Sequence, residues 1–315
     1  MKKTVIWIGA LVVGAILGLL GLDRINDLMD FIATVYVRLF QLLAVPTIVL
    51  AVTTTLATLG SGPDAGRIFR HTISYTLLTT LVAAAVGLLL YVIIAPGNMQ
   101  LPVADSELPI AGSQLSAQLS AGVIADSLGK YVAVVLGGNL LQFFVVLPIF
   151  LLTRHLNPIR VMSKMTPAIL TALFTKSSAA TLPVTMETAE KRLGIQPKVA
   201  RFVLPICTTI NMNGCAAFIL VTSLFVMQQG GIELTWPTML TWLLISVVSA
   251  IGNAGVPMGC YFLTLSLMSG INAPIAVLGI ILPIYTIIDM VETAVNVWSD
   301  SCVCAMTDHD LKDRS

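Results

Sequence analysis

Apolar residues dominate this chain in eight long segments that are separated by short polar connections. The segments cover residues 4–22, 31–59, 68–95, 128–153, 160–190, 196–229, 236–268 and 272–307. A helix needs about 20 consecutive apolar residues to cross a bilayer, and several of these segments have about 30. The longer segments therefore predict helices that are tilted, broken or re-entrant. The pattern as a whole predicts an all-α polytopic membrane protein.

The composition strengthens this prediction. Of the 315 residues, 57% are hydrophobic and 10% are charged, whereas soluble domains carry roughly 25% charged residues. The net charge of +1 gives no indication of nucleic-acid binding, and membrane lipid is the expected surrounding. The first segment lacks a small-residue cleavage motif, so we expect it to be a retained helix rather than a signal peptide.

Basic residues flank alternate segments and predict the orientation of the chain. Two lysines precede the first segment, basic residues flank both ends of segment 160–190, and Lys312 and Arg314 lie near the C-terminus. Because Lys and Arg favour the cytoplasmic side, we expect both termini in the cytoplasm and the protein in the cytoplasmic (inner) membrane. The basic residues fit this orientation if two segments enter and leave the membrane on the same side. Segment 160–190 would be re-entrant from the inside and segment 236–268 from the outside.

Both of these segments contain a centre of small residues and proline that is typical of a broken helix. The centres are "TKSSAATLPVT" (175–185) and "GNAGVPMG" (252–259). A membrane tolerates unpaired backbone groups only where the segment is packed in protein or lines a wet cavity. Two broken segments that enter from opposite sides predict an inverted repeat, which in transporters marks a binding site near the midplane.

Five polar side chains share one face of the last segment, within "IIDMVETAVNVWSD" (287–300). They are Asp289, Glu292, Thr293, Asn296 and Asp300. At 100° per residue they span about 100° of a helix. A carboxylate at the bilayer centre costs several kcal/mol unless it is paired or hydrated, so the stripe predicts a site for a cation or a zwitterion. The alternative is a set of buried acids paired with a basic side chain, for which Lys176 is the nearby candidate.

A second polar stretch, "TTINMNGC" (208–215), interrupts the sixth segment. Its amide and hydroxyl residues together with Gly214 predict local unwinding, and freed carbonyls there would suit a hard cation such as Na⁺. The alternative is that Asn211 and Asn213 make ordinary hydrogen bonds between helices. Thr79 and Thr80 in the third segment are weak signals on their own, because hydroxyls in membrane helices often bond to their own backbone.

Two other chemistries are not favoured. The five cysteines, Cys207, Cys215, Cys260, Cys302 and Cys304, lie in apolar segments without metal-ligand spacing, and we expect no disulfide framework. Lys176 and Ser177 are adjacent and would point apart on a helix, which is poor geometry for a Ser–Lys nucleophile pair. We therefore expect no enzymatic activity.

Four motifs, taken together, resemble one known family. "TKSSAATLPVT", "NMNGC", "GNAGVP" and "DMVETAVNVWSD" occur in this order. They look like the two hairpin tips and the seventh and eighth transmembrane helices of the dicarboxylate/amino acid:cation symporter family (sodium:dicarboxylate symporters), which has the glutamate-transporter fold. The match covers residues 128–307, and residues 4–95, with "YTLLTT" at 75–80, resemble the family's first three helices.

The resemblance implies an elevator transporter, usually a homotrimer, in which a transport domain with two re-entrant helical hairpins moves past a scaffold. The implied division is 1–62 for scaffold helices, 63–96 for the third helix, which belongs to the transport domain, 97–127 for a short polar connection, and 128–315 for the rest of the transport domain. The connection stands where the family has two further scaffold helices, so this chain is expected to lack them.

The resemblance also implies the roles of individual residues. The substrate positions are Ser177 and Ser178 with backbone amides around Val256 for the α-carboxylate, Asp289 for the α-amino group, and Thr293 and Asn296 beside it. The Na⁺ positions are Asp300 with carbonyls of Asn211 and Asn296, then Thr209 and Met212 with carbonyls of the second hairpin, and finally Thr79, Thr80 and Asn211.

Several residues depart from the family pattern. Glu292 stands where members that take acidic substrates carry Arg, and a Glu there would repel a carboxylate that Arg would bind. Asn213 replaces an aspartate of the third sodium site, which removes a negative charge. Met258 replaces a glycine of the second hairpin tip, and Ala179 replaces the third serine of the first tip.

These observations predict a cation-coupled symporter, most simply Na⁺-coupled, for a neutral or amino-bearing amino acid such as cystine. Glu292 has a second predicted role in H⁺ coupling, because burial favours the neutral form of a carboxylic acid. One alternative is an acidic amino acid or C4-dicarboxylate symporter in which Lys176 replaces the arginine. The other is a membrane protein that binds substrate without transporting it.

Overall fold

The computed structural model describes residues 65–97, 121–253 and 255–312, and this part of the chain contains helices and no β-strand. The helices are α1 (Ala65–Ile94), α2 (Ala121–Leu141), α3 (Leu147–Leu152), α4 (Pro158–Thr175), α5 (Ser178–Thr188), α6 (Pro197–Ile210), α7 (Asn213–Gln229), α8 (Trp236–Ile251), α9 (Gly259–Gly270) and α10 (Ala276–Lys312). Single π-helical turns at Gln142–Val146 and Ala189–Leu193 join α2 to α3 and extend α5. The predicted scaffold helices at 1–62 and most of the connection at 97–127 lie outside the described residues.

Four helical stretches of the described chain are long and apolar enough to cross a membrane. They are Gly66–Ile94, Asp126–Leu152, Pro197–Gln229 and Ala276–Lys312. The prediction of an all-α membrane protein is therefore confirmed. Helix α2 begins at Ala121, earlier than the predicted residue 128. Asp126 and Lys130, one turn apart on its surface, form an ion pair at 2.7 Å.

The segment predicted as the first hairpin contains α4 and α5, which pack against each other. Asn157 caps the start of α4 by accepting a hydrogen bond from the backbone N–H of Arg160 at 3.1 Å, and Pro158 follows at the first helical position. Lys176 ends α4 in the left-handed conformation, at φ 54°. Ser177 then starts α5 as its N-cap, with its hydroxyl accepting from the N–H of Ala180 at 3.1 Å. The tip of this hairpin therefore consists of Lys176 and Ser177.

The segment predicted as the second hairpin contains α8 and α9, with a turn between them. Thr235 caps α8 through the N–H of Thr238 at 3.3 Å. After α8 ends at Ile251 the chain turns, and Gly255 and Met258 in this turn both have a φ of +62°. That conformation is routine for glycine and uncommon for a side chain such as methionine, so the Met258 position carries local strain.

The predicted interruption of the sixth segment is confirmed. Helix α6 ends at Ile210, Asn211 and Met212 have non-helical dihedrals, and α7 begins at Asn213. Gly214 lies where a Cβ would come within 2.7 Å of Asn139 Oδ1 and 2.9 Å of Glu292 Cα. The glycine therefore allows the start of α7 to lie directly against α10.

Helix α7 occupies the centre of one hydrophobic core. It is buried around nearly its whole circumference and packs against α1, α2, α8, α9 and α10. A second core joins α4 and α6 to the later part of α10, around Trp298. Helix α10 contributes to both cores, so its polar stripe lies between the interrupted helix and the two hairpins.

Candidate functional site

The tips of the two hairpins meet at the backbone of Gly255. Its carbonyl accepts a hydrogen bond from the Ser177 hydroxyl at 2.8 Å and another from the N–H of Ala179 at 3.3 Å. A Cβ on residue 255 would lie 2.9 Å from the carbonyl oxygen of Thr208, at the end of α6. Glycine thus allows the second tip to approach both the first tip and the interrupted helix.

Asp289 of α10 lies beside these tips. Its Oδ2 accepts a hydrogen bond from the N–H of Met258 at 3.1 Å and lies 3.8 Å from Nζ of Lys176. The Thr293 hydroxyl donates to the carbonyl of Asp289 at 2.8 Å. The basic partner considered from the sequence is therefore present for this acid, and one end of the stripe combines a carboxylate, an ammonium group and a backbone N–H.

Glu292 lies one turn further along α10 and is buried. The Tyr285 hydroxyl donates to Oε2 at 3.1 Å, whereas Oε1 has no hydrogen-bond partner within the described residues. Glu292 Oε1 is thus a buried acceptor that a ligand or water would satisfy.

Two cysteines lie beside Glu292. Cys215 at the start of α7 and Cys260 at the start of α9 form a disulfide, with their Cα atoms 5.6 Å apart. From the sequence we expected no disulfide framework and did not predict this single pair. They are 45 residues apart in sequence, and only the packing of α7 against α9 brings them together.

The amide and hydroxyl residues of the predicted cation sites form one buried network. Asn211 Nδ2 donates to Asp300 Oδ1 and to Ser299 Oγ, both at 2.9 Å. Asn213 Nδ2 donates to the same Ser299 hydroxyl at 2.7 Å, and Asn213 Oδ1 accepts from Thr80 at 2.8 Å. The fold therefore brings together side chains from α1, α10 and the interruption between α6 and α7.

Thr79 and Asn296 complete this network. The Thr79 hydroxyl lies 3.2 Å from Asn211 Oδ1, although it also bonds back to the Tyr75 carbonyl at 2.9 Å. Asn296 Oδ1 accepts from the N–H of Gly214 at 2.9 Å. Carboxylate, amide and hydroxyl oxygens are the ligands that hard cations prefer. This network therefore contains the kinds of oxygen ligand that a Na⁺ site requires.

The remaining predicted residues contribute less directly. Ser178 is buried as the first residue of α5, and Met212 is buried against the second tip, near Gly255. Val256 has a side chain that is 48% exposed, so its predicted contribution rests on its backbone. The Thr209 hydroxyl donates to the Ile206 carbonyl at 3.0 Å.

Several residues of this site were missed from the sequence. Ser299 connects Asn211 with Asn213, and Tyr285 holds Glu292. At 100° per residue, Tyr285 lies on the α10 stripe one turn before Asp289, and Ser299 lies at the edge of the stripe. A longer and slightly wider stripe would therefore have included both residues. Cys260 and Asn253, whose Nδ2 lies 3.0 Å from Cys260 Sγ, had no such signal, since their positions depend on how the second hairpin packs.

The described chain combines long apolar helices, two turns that meet at Gly255, and an interrupted helix beside buried acids. These are features of membrane transporters that build a site from broken helices. A family model described as the "Sodium:dicarboxylate symporter family" matches residues 4–125 and 114–310. The chain belongs to the sodium:dicarboxylate symporter family. This confirms the resemblance carried by the four sequence motifs.

Characterised relatives include both neutral and excitatory amino acid transporters. Neutral amino acid transporter A of Homo sapiens is 34% identical over 202 residues, which are 64% of this chain and 38% of that protein. Neutral amino acid transporter B(0) of Oryctolagus cuniculus is 34% identical over 190 residues, 60% of this chain and 35% of that protein. Excitatory amino acid transporter 1 of Homo sapiens is 33% identical over 199 residues, which are 61% of this chain and 36% of that protein. The chain thus matches less than two fifths of the length of each of these relatives.

Proposed function

We propose that this chain carries the binding site of a Na⁺-coupled symporter for an amino acid with a neutral or amino-bearing side chain. The observation that carries the proposal is the position of Glu292. It is a buried acid one turn after Asp289, on the face of α10 that lies against the interrupted helix. Acidic-substrate members of the family carry Arg there, so the charge at this end of the site is reversed.

The backbone end of the amino acid would bind between the hairpin tips. Asp289 takes the α-ammonium group, and Ser177, Ser178 and the backbone amides around Val256 take the α-carboxylate. Lys176 and Asp289 already form an ion pair at 3.8 Å. A zwitterion can therefore exchange that pair for two new ones, with its ammonium group on Asp289 and its carboxylate near Lys176, and no buried charge is left uncompensated.

The side chain of the amino acid would extend toward Glu292. The unpartnered Oε1 supports this placement, because a hydroxyl, amide or ammonium group of the substrate could donate to it. A substrate carboxylate would face a like charge in a dry site, which is costly. Thr293 and Asn296 lie beside this region on the same face.

Sodium ions would bind in the adjoining oxygen-rich network. Asp300 supplies its negative charge, and the oxygens come from Thr79, Thr80, Thr209, Asn211, Met212, Asn213 and Asn296. The family description names sodium, whereas proton coupling through Glu292 stays a prediction. By the same family resemblance, we propose a homotrimer in the cytoplasmic membrane with both termini in the cytoplasm.

A second candidate is an acidic amino acid or C4-dicarboxylate symporter. The observation that favours it is the ammonium group of Lys176, which lies close enough to Asp289 to meet a ligand bound at the tips. In that case Lys176 would bind the additional carboxylate. The family description, which names dicarboxylates, is compatible with this substrate class.

Calorimetric binding to the purified chain in lipid nanodiscs distinguishes the two candidates. Serine, alanine, cystine, aspartate and succinate would each be titrated in NaCl and in choline chloride. We expect Na⁺-dependent binding of a neutral or amino-bearing ligand and none of succinate. Na⁺-dependent binding of succinate or aspartate that is lost in Lys176→Met would favour the second candidate.

A further inference from the structure

Cys215, Cys260 and Glu292 form a compact cluster, called here the thiol–carboxylate cluster. One sulfur from each cysteine and one carboxylate oxygen of Glu292 all lie within 4.8 Å of one another. The three residues are 3%, 2% and 1% exposed and come from α7, α9 and α10. Three different helices therefore converge on one small buried volume.

The carboxylate of this cluster is incompletely satisfied. Tyr285 holds Oε2 of Glu292, while Oε1 is buried and lacks a hydrogen-bond donor in the described chain. Buried polar atoms in native structures almost always have a partner. A carboxylate that lies beside two sulfurs and has one unsatisfied oxygen points to a ligand that the cluster can bind.

Two amide groups complete the surroundings of the sulfurs. Asn253 Nδ2 lies 3.2 Å from Cys215 Sγ and 3.0 Å from Cys260 Sγ, and Asn296 Nδ2 lies 3.3 Å from Cys215 Sγ. Hydrogen-bond donors directed at sulfur stabilise a thiolate and resemble the outer-shell contacts that orient metal ligands. The cluster thus has ligand atoms and supporting groups of the kind found around metal ions.

We propose that the reduced form of the thiol–carboxylate cluster binds one soft divalent cation, such as Zn²⁺ or Cd²⁺. Two thiolates and a carboxylate select such ions over Na⁺ or Mg²⁺. With Zn–S bonds of about 2.3 Å in tetrahedral geometry, the sulfurs must lie about 3.8 Å apart. The site therefore requires that the Cys215–Cys260 bond is broken.

Reduction by a phosphine converts the disulfide into two thiols. The phosphine gives the disulfide two electrons and becomes a phosphine oxide with the oxygen of a water molecule, whose two protons complete the thiols. Binding of the metal ion then releases the two thiol protons, because thiolates are the ligands. Glu292 supplies the third ligand, and water takes the fourth position of a tetrahedral ion.

The position of the cluster gives the metal ion a consequence. Glu292 is also the residue that we place at the side-chain end of the substrate, so a bound ion would block that end. Metal binding itself does not rest on the proposed transport activity. A spectroscopic measurement of binding can therefore succeed or fail independently of any transport assay.

The experiment is a titration of the purified full chain with Cd²⁺ after reduction by a phosphine and removal of the phosphine. The thiolate-to-Cd²⁺ charge-transfer absorption in the ultraviolet is expected to rise to one equivalent. It should disappear in Cys215→Ser and Cys260→Ser, and Glu292→Gln should weaken binding by at least roughly tenfold. The matched control replaces Cys207, Cys302 and Cys304, which are the free cysteines of the described chain, by alanine and should keep the full signal.

Protection of the unmodified chain gives a second measurement that needs no variant to fold. The reduced protein would be treated with a maleimide with and without Cd²⁺, and each cysteine would be quantified by mass spectrometry. We expect Cd²⁺ to protect Cys215 and Cys260 selectively. Absence of binding by the reduced chain, or binding that survives in the Cys215→Ser, Cys260→Ser double variant, would overturn the proposal.

Discussion

At the residue scale, the two acids Asp289 and Glu292 of α10 differ in their hydrogen-bond and charge partners. Asp289 has a backbone N–H and an ammonium group as partners, while Glu292 has a tyrosine hydroxyl on one oxygen only. The two acids of this helix therefore have different surroundings. In the proposed binding mode, Asp289 contacts the constant, backbone end of the amino acid and Glu292 its variable side chain.

Replacing Asp289 with Asn is expected to abolish binding of the amino acid while the protein remains folded. Removing one partner of a buried charge pair costs roughly 2–5 kcal/mol, or a loss of affinity of at least about thirtyfold. The measurement is calorimetric binding together with a thermal unfolding curve. Asp126→Asn is the control, since Asp126 forms an exposed pair with Lys130 on α2. Normal affinity in Asp289→Asn would show that this aspartate does not bind the ammonium group.

Replacing Glu292 with Arg is expected to shift the preference toward aspartate or succinate, because a guanidinium group binds a carboxylate with two hydrogen bonds. Glu292→Gln removes the charge at nearly constant shape and serves as the control. It should weaken an amino-bearing ligand without creating affinity for acids. If Glu292→Arg binds the same ligands as the original chain, the substrate side chain does not reach residue 292.

At the element scale, close approach of the broken segments depends on two glycines. Gly255 allows the second hairpin tip to contact the first tip, and Gly214 allows α7 to lie against α10. The interruption at Asn211 and Met212 could be predicted from local sequence, because amides, hydroxyls and a glycine stand together within an apolar segment. The same holds for the two hairpin centres.

Gly214→Ala is expected to destabilise the protein, since its Cβ would lie 2.7 Å from Asn139 Oδ1 and 2.9 Å from Glu292 Cα. Overpacking of this kind costs roughly 1–3 kcal/mol. Gly129→Ala in α2 is the matched control, because its Cβ would meet nothing within 4 Å. Thermal unfolding should show a lower Tm for the first variant and an unchanged or higher Tm for the second. Equal Tm values would contradict the close contact of α7 with α10.

Contacts between elements were harder to predict than the elements. The pairing of Cys215 with Cys260 and the bonds from Ser177 and Ala179 to the Gly255 carbonyl join residues far apart in the chain. No periodicity or spacing encodes such contacts, because they depend on how the two hairpins pack. By contrast, the α10 stripe was predictable, since its polar residues repeat with the period of a helix.

At the scale of the whole molecule, a cluster around Asp310 connects the last turn of α10 to α1 and to the end of α3. Asp310 accepts a hydrogen bond from the Tyr75 hydroxyl and lies 3.3 Å from His71 Nδ1 and 3.7 Å from Arg154 Nη1. Arg154 also lies over the Tyr75 ring, 5.3 Å from its centroid. This cluster fixes one end of the helix that carries the candidate site.

Asp310→Asn is expected to lower the free energy of unfolding by about 1–3 kcal/mol. The substitution removes the negative charge that the surrounding donor groups now contact. Glu187→Gln is the control, since Glu187 pairs with Lys191 on an exposed surface and such pairs contribute little. Thermal unfolding in detergent compares the two variants. If Asp310→Asn has the same Tm as the original chain, the cluster does not hold α1 and α10 together.

The measurement that tests the central claim most directly is uptake by the purified chain in liposomes. Labelled amino acids and succinate would be offered with an inward Na⁺ gradient, with a proton gradient, or with neither. We expect a neutral or amino-bearing amino acid to accumulate under the Na⁺ gradient alone, and Asp289→Asn to abolish this accumulation. Accumulation of aspartate or succinate instead, or binding of substrate without any driven uptake, would contradict the account.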